Sequence, residues 1–185
     1  MQNESISRRT FLEASAMGAA AIIASGALFR TGAADSRDET AMKMFVCSVC
    51  GHVEFGSAPD VCPVCHASQE KFNQNDSLFT DAASADKGGE AAHTPEISIV
   101  KHSKLINEQP VKEVVVRIGK VLHPMEEAHH IQWIDCYVDD HYISRIFLTP
   151  GVNPAVNYYP KINGSKIRIV EHCNLHGHWQ AEAVL

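Results

Sequence analysis

The sequence predicts a mainly β protein in two parts: a small cysteine-knuckle module that binds metal, then an antiparallel β-sandwich. Three observations predict it. Cys47, Cys50, Cys62 and Cys65 form two C-x2-C pairs, the spacing of a tetrathiolate cage. Beyond residue 93, short runs rich in β-branched and aromatic residues recur between turn signals, and none has a long helical period. Hydrophobic residues make up 45% of the 185, enough for an ordinary core in one or two domains. The net charge of -6 argues against a nucleic-acid partner, which would call for a basic surface.

Residues 1–34 read as an export segment. Ser7-Arg8-Arg9-Thr10-Phe11-Leu12 precedes a Gly/Ala-rich apolar run from Ala14 to Phe29, and paired arginines before such a run look like a twin-arginine signal. The run is short and weakly apolar for a membrane span. Small residues at Ala33-Ala34 suit cleavage, whereas an uncleaved segment would anchor the chain. The expected location is periplasmic or otherwise extracytoplasmic. An exported chain with six cysteines could be a disulfide scaffold, but C-x2-C pairs with nearby histidines favour metal.

Residues 43–74 form the cysteine module. Gly51 follows the first pair and Pro63 lies inside the second, as tight ligand turns favour. Phe45, Phe55 and Phe72 are expected to build a small core around the metal. A unit this short needs such a staple. His52 and His66 are expected at the surface, because four cysteines already complete the cage. The run FVCSVCGHVEFGSAPDVCPVCHASQEKF (45–72) resembles the rubredoxin-like module of rubrerythrins. That resemblance favours iron in the cage, with zinc as the alternative.

Residues 75–92, rich in Ala, Ser, Asp and Gly, read as a linker. Residues 93–185 make the second domain. Strands are expected at 96–100, 111–118, 131–138, 142–148, 166–170 and 179–185. Pro150-Gly151, Asn153-Pro154 and Asn163-Gly164 mark turns between them. Strands at this spacing imply a sandwich. Cys136 reads as a buried small hydrophobe.

A second metal site is expected from His123, His129, Cys173 and His176, in the strings HPMEEAHH and CNLHGH. For an isolated histidine a hydrogen-bonded structural role is the better reading. Two compact motifs together point to metal. His130, His172 and His178 flank these motifs, either around the ligands or simply exposed. Glu90–His93 and Glu126–His129 also match the Glu-x2-His string of a di-iron bundle. Pro95, Pro124 and β-rich flanks speak against the long helices that site needs.

GKVLHPMEEAHHIQWI and EHCNLHGHW together resemble the superoxide reductases, the desulfoferrodoxin and neelaredoxin family, over residues 93–185. The resemblance implies an immunoglobulin-like sandwich and a mononuclear non-haem iron held by four histidines and one axial cysteine. It assigns His123, His129 and His176 as equatorial ligands and Cys173 as the axial thiolate. The fourth histidine has two candidates. His93-Thr94-Pro95-Glu96-Ile97 matches the family's His-x-Pro-x-Ile, and Lys101-His102 matches only Lys-His. His93 is favoured, because Pro95 and Ile97 fix the backbone beside it. The family's Glu-Lys pair before that histidine is replaced by Ala91-Ala92. Glu90, Lys87 and Lys101 are the nearest substitutes in sequence.

The implied activity is one-electron reduction of superoxide to hydrogen peroxide at the His4Cys iron, with the tetrathiolate iron as an electron relay. It requires an electron donor that the sequence does not name and allows a homo-oligomer. The alternative is an exported iron or electron-transfer protein without catalysis.

Overall fold

A computed structural model describes residues 42–84, 89–103, 106 and 111–185. The expected export segment and Lys87 lie outside the described residues. The described residues all fall in one compact unit.

The cysteine module is a three-stranded antiparallel sheet of β1 (Met44–Cys47), β2 (Val53–Phe55) and β3 (Phe72–Gln74), in the order β2-β1-β3. Its two knuckles close alike. The N–H of Gly51 donates to Cys47 O at 2.9 Å, and that of His66 to Cys62 O at 3.0 Å. Both turns need a left-handed residue, Gly51 at φ +71 and His66 at φ +61. Phe72 packs on Cys47 and Cys62, with Phe45 beside them, as expected. Phe55 does not join that core. It meets Tyr137 edge-on at 5.1 Å and lies under the Arg168 guanidinium at 4.2 Å.

The segment expected as a linker carries two short helices, α1 (Leu78–Ser84) and α2 (Glu90–His93). Leu78 and Phe79 give α1 its reason to order, because both pack on the apolar cluster of Val53, Trp133, Tyr137 and Val170.

The sandwich pairs a three-stranded sheet with a four-stranded one. The first joins β4 (Pro95–Val100), β5 (Glu113–Ile118) and β8 (Ala155–Tyr158) in the order β4-β5-β8. The second joins β6 (Ile131–Val138), β7 (His141–Phe147), β9 (Lys166–Cys173) and β10 (Gly177–Val184) in the order β10-β9-β6-β7. All pairs are antiparallel. Between the sheets lie Val114, Val116, Ile118, Ile134, Cys136, Val138, Ile167 and Ile169. β8 was not expected. Its AVNY string is short and follows Pro154, so it reads as loop. β9 extends past Val170, because register with β10 and β6 carries Glu171, His172 and Cys173 along.

β6 is buried on both faces, because the cysteine module covers the outer one. This corrects the placement of His52, which is fully buried where the module meets the sheet. Its Nδ1 lies 3.3 Å from Asp135 Oδ2, its Nε2 3.1 Å from Glu54 Oε2, and its ring stacks over Tyr137. Burial by itself would lower the pKa of His52. Asp135 and Glu54 outweigh it, and the net shift is upward. Arg145 grips Asp135 with two bonds of 2.6 and 2.7 Å and donates to Cys50 O at 2.8 Å. Tyr137 donates to Val53 O at 2.8 Å. Each of these buried side chains therefore has a partner, which burial requires. His66, by contrast, is exposed as expected.

Candidate metal centres

The first centre is made by the two knuckles. The sulfur atoms of Cys47, Cys50, Cys62 and Cys65 all lie within 4.8 Å of one another. Cys47 Sγ is 3.7 Å from Cys65 Sγ, and Cys50 Sγ is 3.6 Å from Cys62 Sγ. A tetrahedron with metal–sulfur bonds of about 2.3 Å has edges of about 3.8 Å, so the donor set fits a tetrahedral cation. Burial pushes the Cys50 and Cys62 thiols up. A bound cation would reverse that.

The second centre lies at one end of the sandwich, where three segments meet. His93 ends α2 and is fully buried. The turn after β5 holds it in place. Gly119 N–H donates to Thr94 O at 3.1 Å and Val121 N–H to Ala91 O at 3.0 Å. At Gly119 a Cβ would meet Ala92 O at 2.5 Å, so only glycine lets the turn close over α2. His123 follows directly. In HPMEEAHH, Glu126 and His129 exchange backbone hydrogen bonds of 2.9 and 3.0 Å. This tight turn brings His129 back beside His123, six residues earlier.

Cys173 ends β9 and His176 lies in the β9–β10 turn, which Gly177 closes at φ +74. Asn174 staples this turn to the other loop. It accepts from His130 N–H at 2.9 Å through Oδ1 and donates to Ala128 O at 3.0 Å through Nδ2.

The donor atoms of His93, His123, His129, Cys173 and His176 lie within 4.8 Å of one another. His93 Nε2 is 2.9 Å from His176 Nδ1 and 3.2 Å from His123 Nε2. His129 Nε2 is 3.1 Å and Cys173 Sγ 3.5 Å from the same His176 Nδ1. The outward nitrogens explain which atoms converge. His93 Nδ1 faces Gly89 O at 3.0 Å and His123 Nδ1 faces Pro124 O at 2.5 Å, so each donates outward and turns an Nε2 lone pair inward. Several lone pairs and a sulfur aimed at one point suit a cation. His102 is exposed and stands outside the cluster.

Burial, and then the neighbouring imidazoles, lower the His123 pKa to about 4, and burial lowers that of His93. Both rings are thus neutral and ready to bind metal at neutral pH. Burial raises the Cys173 thiol, while backbone N–H groups of Leu175 and His176 pull it back down.

Several surrounding residues gave no clear signal in the sequence. Trp179 stacks on His93 at 4.8 Å and 20°, and its Nε1 donates to His176 O at 3.3 Å. Glu171 is fully buried two residues before Cys173, and among the described residues neither carboxylate oxygen has a hydrogen-bond partner. Desolvation pushes its pKa well above the ordinary carboxylate range. His178 is buried, not exposed, and bonds Gly51 O at 2.8 Å. A cleft of about 260 Å³ beside α2 is lined by Glu90, Ala91, Thr94, Glu96 and Lys120. The Glu126–His129 turn and the single turn of α2 provide no long helices for a di-iron bundle.

The desulfoferrodoxin family profile matches residues 84–182, more than half of the chain. The chain belongs to the desulfoferrodoxin family. The rubredoxin-like domain of rubrerythrin matches residues 45–73. A desulfoferrodoxin from Desulfarculus baarsii is 32% identical over 145 residues, covering 76% of this chain and 96% of the relative. A superoxide reductase from Pyrococcus abyssi is 31% identical over 105 residues, covering 50% of this chain and 86% of its own. Among solved structures, the superoxide reductase from Nanoarchaeum equitans aligns at 29% identity with a TM-score of 0.44, covering 54% of this chain and 97% of that one. The desulfoferrodoxin match spans α2, both loops and the β9–β10 turn, so it contains all five convergent donors.

Proposed function

We propose that this chain reduces superoxide to hydrogen peroxide by one electron, at an iron held by His93, His123, His129, His176 and Cys173. The observation that carries the reading is the convergence of four imidazole nitrogens and one sulfur, in a chain whose relatives include a superoxide reductase. Five donors exceed the four that zinc takes in its usual protein sites, which favours iron. Bound iron would supply the single electron that superoxide needs.

The chain's own residues prepare the site. Burial keeps His93 and His123 neutral, and their outward hydrogen bonds fix the inward lone pairs. The Leu175 and His176 N–H groups temper the negative charge on Cys173 Sγ. A divalent cation against one thiolate leaves the site locally positive, so an anionic substrate is drawn in despite the net charge of -6.

The tetrathiolate cage is read as a second iron site that passes electrons inward from a donor outside the chain. Zinc in that cage would leave it purely structural. Arg8-Arg9 and the apolar run after them support export, so that donor would act outside the cytoplasm. The loss of the Glu-Lys pair at Ala91-Ala92 favours one second reading, an exported carrier without catalysis. Pulse-generated superoxide separates the two. The pre-reduced protein is expected to be oxidised rapidly, and Cys173→Ser to lose that reaction. An inert wild-type site would leave the carrier reading standing.

A further inference from the structure

The cysteine module does not merely sit beside the sandwich. Its first knuckle, the turn that carries Cys50 and Gly51, bonds it directly. Gly51 O accepts from His178 Nε2 at 2.8 Å. A Cβ on Gly51 would lie 3.2 Å from Trp133 Cζ2 and 3.3 Å from His178 Nε2, so the ligand turn is in close contact with this wall. His178 lies two residues after His176, and its cross-strand partner on β9 is His172, the neighbour of Cys173. The rings of His172 and His178 are 4.5 Å apart, and His172 stacks on Trp133 at 5.4 Å and 10°. Arg145 holds the turn from the other side, through Cys50 O.

From Cys50 Sγ the chain runs by covalent bonds to Gly51 O. From the His178 ring it runs by covalent bonds through Gly177 to the His176 ring. Along this route the Gly51–His178 hydrogen bond is the single non-covalent step between a donor of one cage and a donor of the other. We propose that His178 is the bridge that couples the two metal cages, a positioning residue through which an electron passes from the Cys50 side to His176. This inference rests on the relay reading above and gives it a route.

The transfer moves one electron and no atom. Iron held by Cys47, Cys50, Cys62 and Cys65 would be oxidised from ferrous to ferric, and iron held by the four histidines and Cys173 would be reduced from ferric to ferrous. A one-electron carrier protein outside the chain restores the first. The His178 Nε2 proton stays where it is.

The test uses the iron-loaded chain, with only the tetrathiolate reduced at the start, and follows the two visible spectra as the electron moves. His178→Leu is expected to slow internal transfer by at least about tenfold. His178→Gln, whose amide still donates to Gly51 O, is expected to restore most of the rate. Wild-type transfer in His178→Leu, with both spectra intact, overturns the proposal. No internal transfer in the unaltered chain would overturn the relay reading and this route together. An independent readout needs no turnover and no variant. In the zinc-loaded protein the His178 Nε2 proton should exchange slowly with solvent and show coupling to the Gly51 carbonyl carbon in NMR spectra. A freely exchanging, uncoupled proton overturns the bridge.

Discussion

At the scale of single residues, the assignment turns on His93 and His102. The two lie nine positions apart in similar sequence, yet His93 is buried among the other donors and His102 is exposed. His93→Ala is expected to abolish the ferric thiolate charge-transfer absorption, and His102→Ala to leave it unchanged. The opposite pattern would move the fourth donor. The donors of the second centre were legible because HPMEEAHH and CNLHGH are specific strings, and the spacing of the four cysteines is as specific. The surrounding residues were not. Trp179, Glu171 and His178 lie in or beside the same motif, but their roles depend on which face of β9 or β10 they occupy and what covers it. His52 was misplaced for the same reason. Nothing in GHVEF reveals that a second sheet, with Asp135 and Arg145, will pack over it.

At the scale of elements, two turns carry the largest demands. In the first knuckle, Gly51 is needed for its φ of +71 and for its approach to Trp133 and His178. Gly51→Ala is expected to cost about 1–3 kcal/mol in denaturant unfolding. An unchanged midpoint would contradict the close docking. At the opposite end of β6, Asp139 accepts from Ser165 N–H at 3.1 Å and from Lys166 N–H at 2.9 Å, tying the β6–β7 turn to the start of β9. The Ser165 hydroxyl, which donates to Asp139 Oδ1 at 3.0 Å, and then the backbone N–H groups of Lys166 and Ser165 lower its pKa. A lowered carboxyl pKa contributes stability above the unfolded value of about 3.9, and that contribution is lost as pH falls through the folded value. Thermal midpoints of wild type and Asp139→Asn should therefore differ at neutral pH and converge in acid. A constant gap would deny Asp139 this role. Most strands of the sandwich were legible from β-branched runs and turn signals. β8 and the extension of β9 were not, because pairing partners, rather than composition, hold those residues in strands.

At the scale of the whole molecule, one sheet serves both parts. The inner face of β6 and β9 builds the sandwich core, while the outer face receives the cysteine module through Trp133, Asp135, Tyr137 and Val170. The sequence showed two metal sites in separate segments, and composition marked the stretch between them as a linker. It could not show that α1 and the first knuckle pack on the sheet, since that depends on long-range partners. This arrangement places the four-cysteine cluster and the cluster of four histidines and Cys173 on one continuous framework, the layout that the proposed electron relay would use. Product stoichiometry tests that reading most directly. The pre-reduced, iron-loaded protein is exposed to a measured amount of superoxide, and hydrogen peroxide and dioxygen are both counted. Reduction predicts one hydrogen peroxide for each superoxide consumed and no dioxygen. Dioxygen released in equal amount to peroxide, or superoxide left unconsumed, would contradict it.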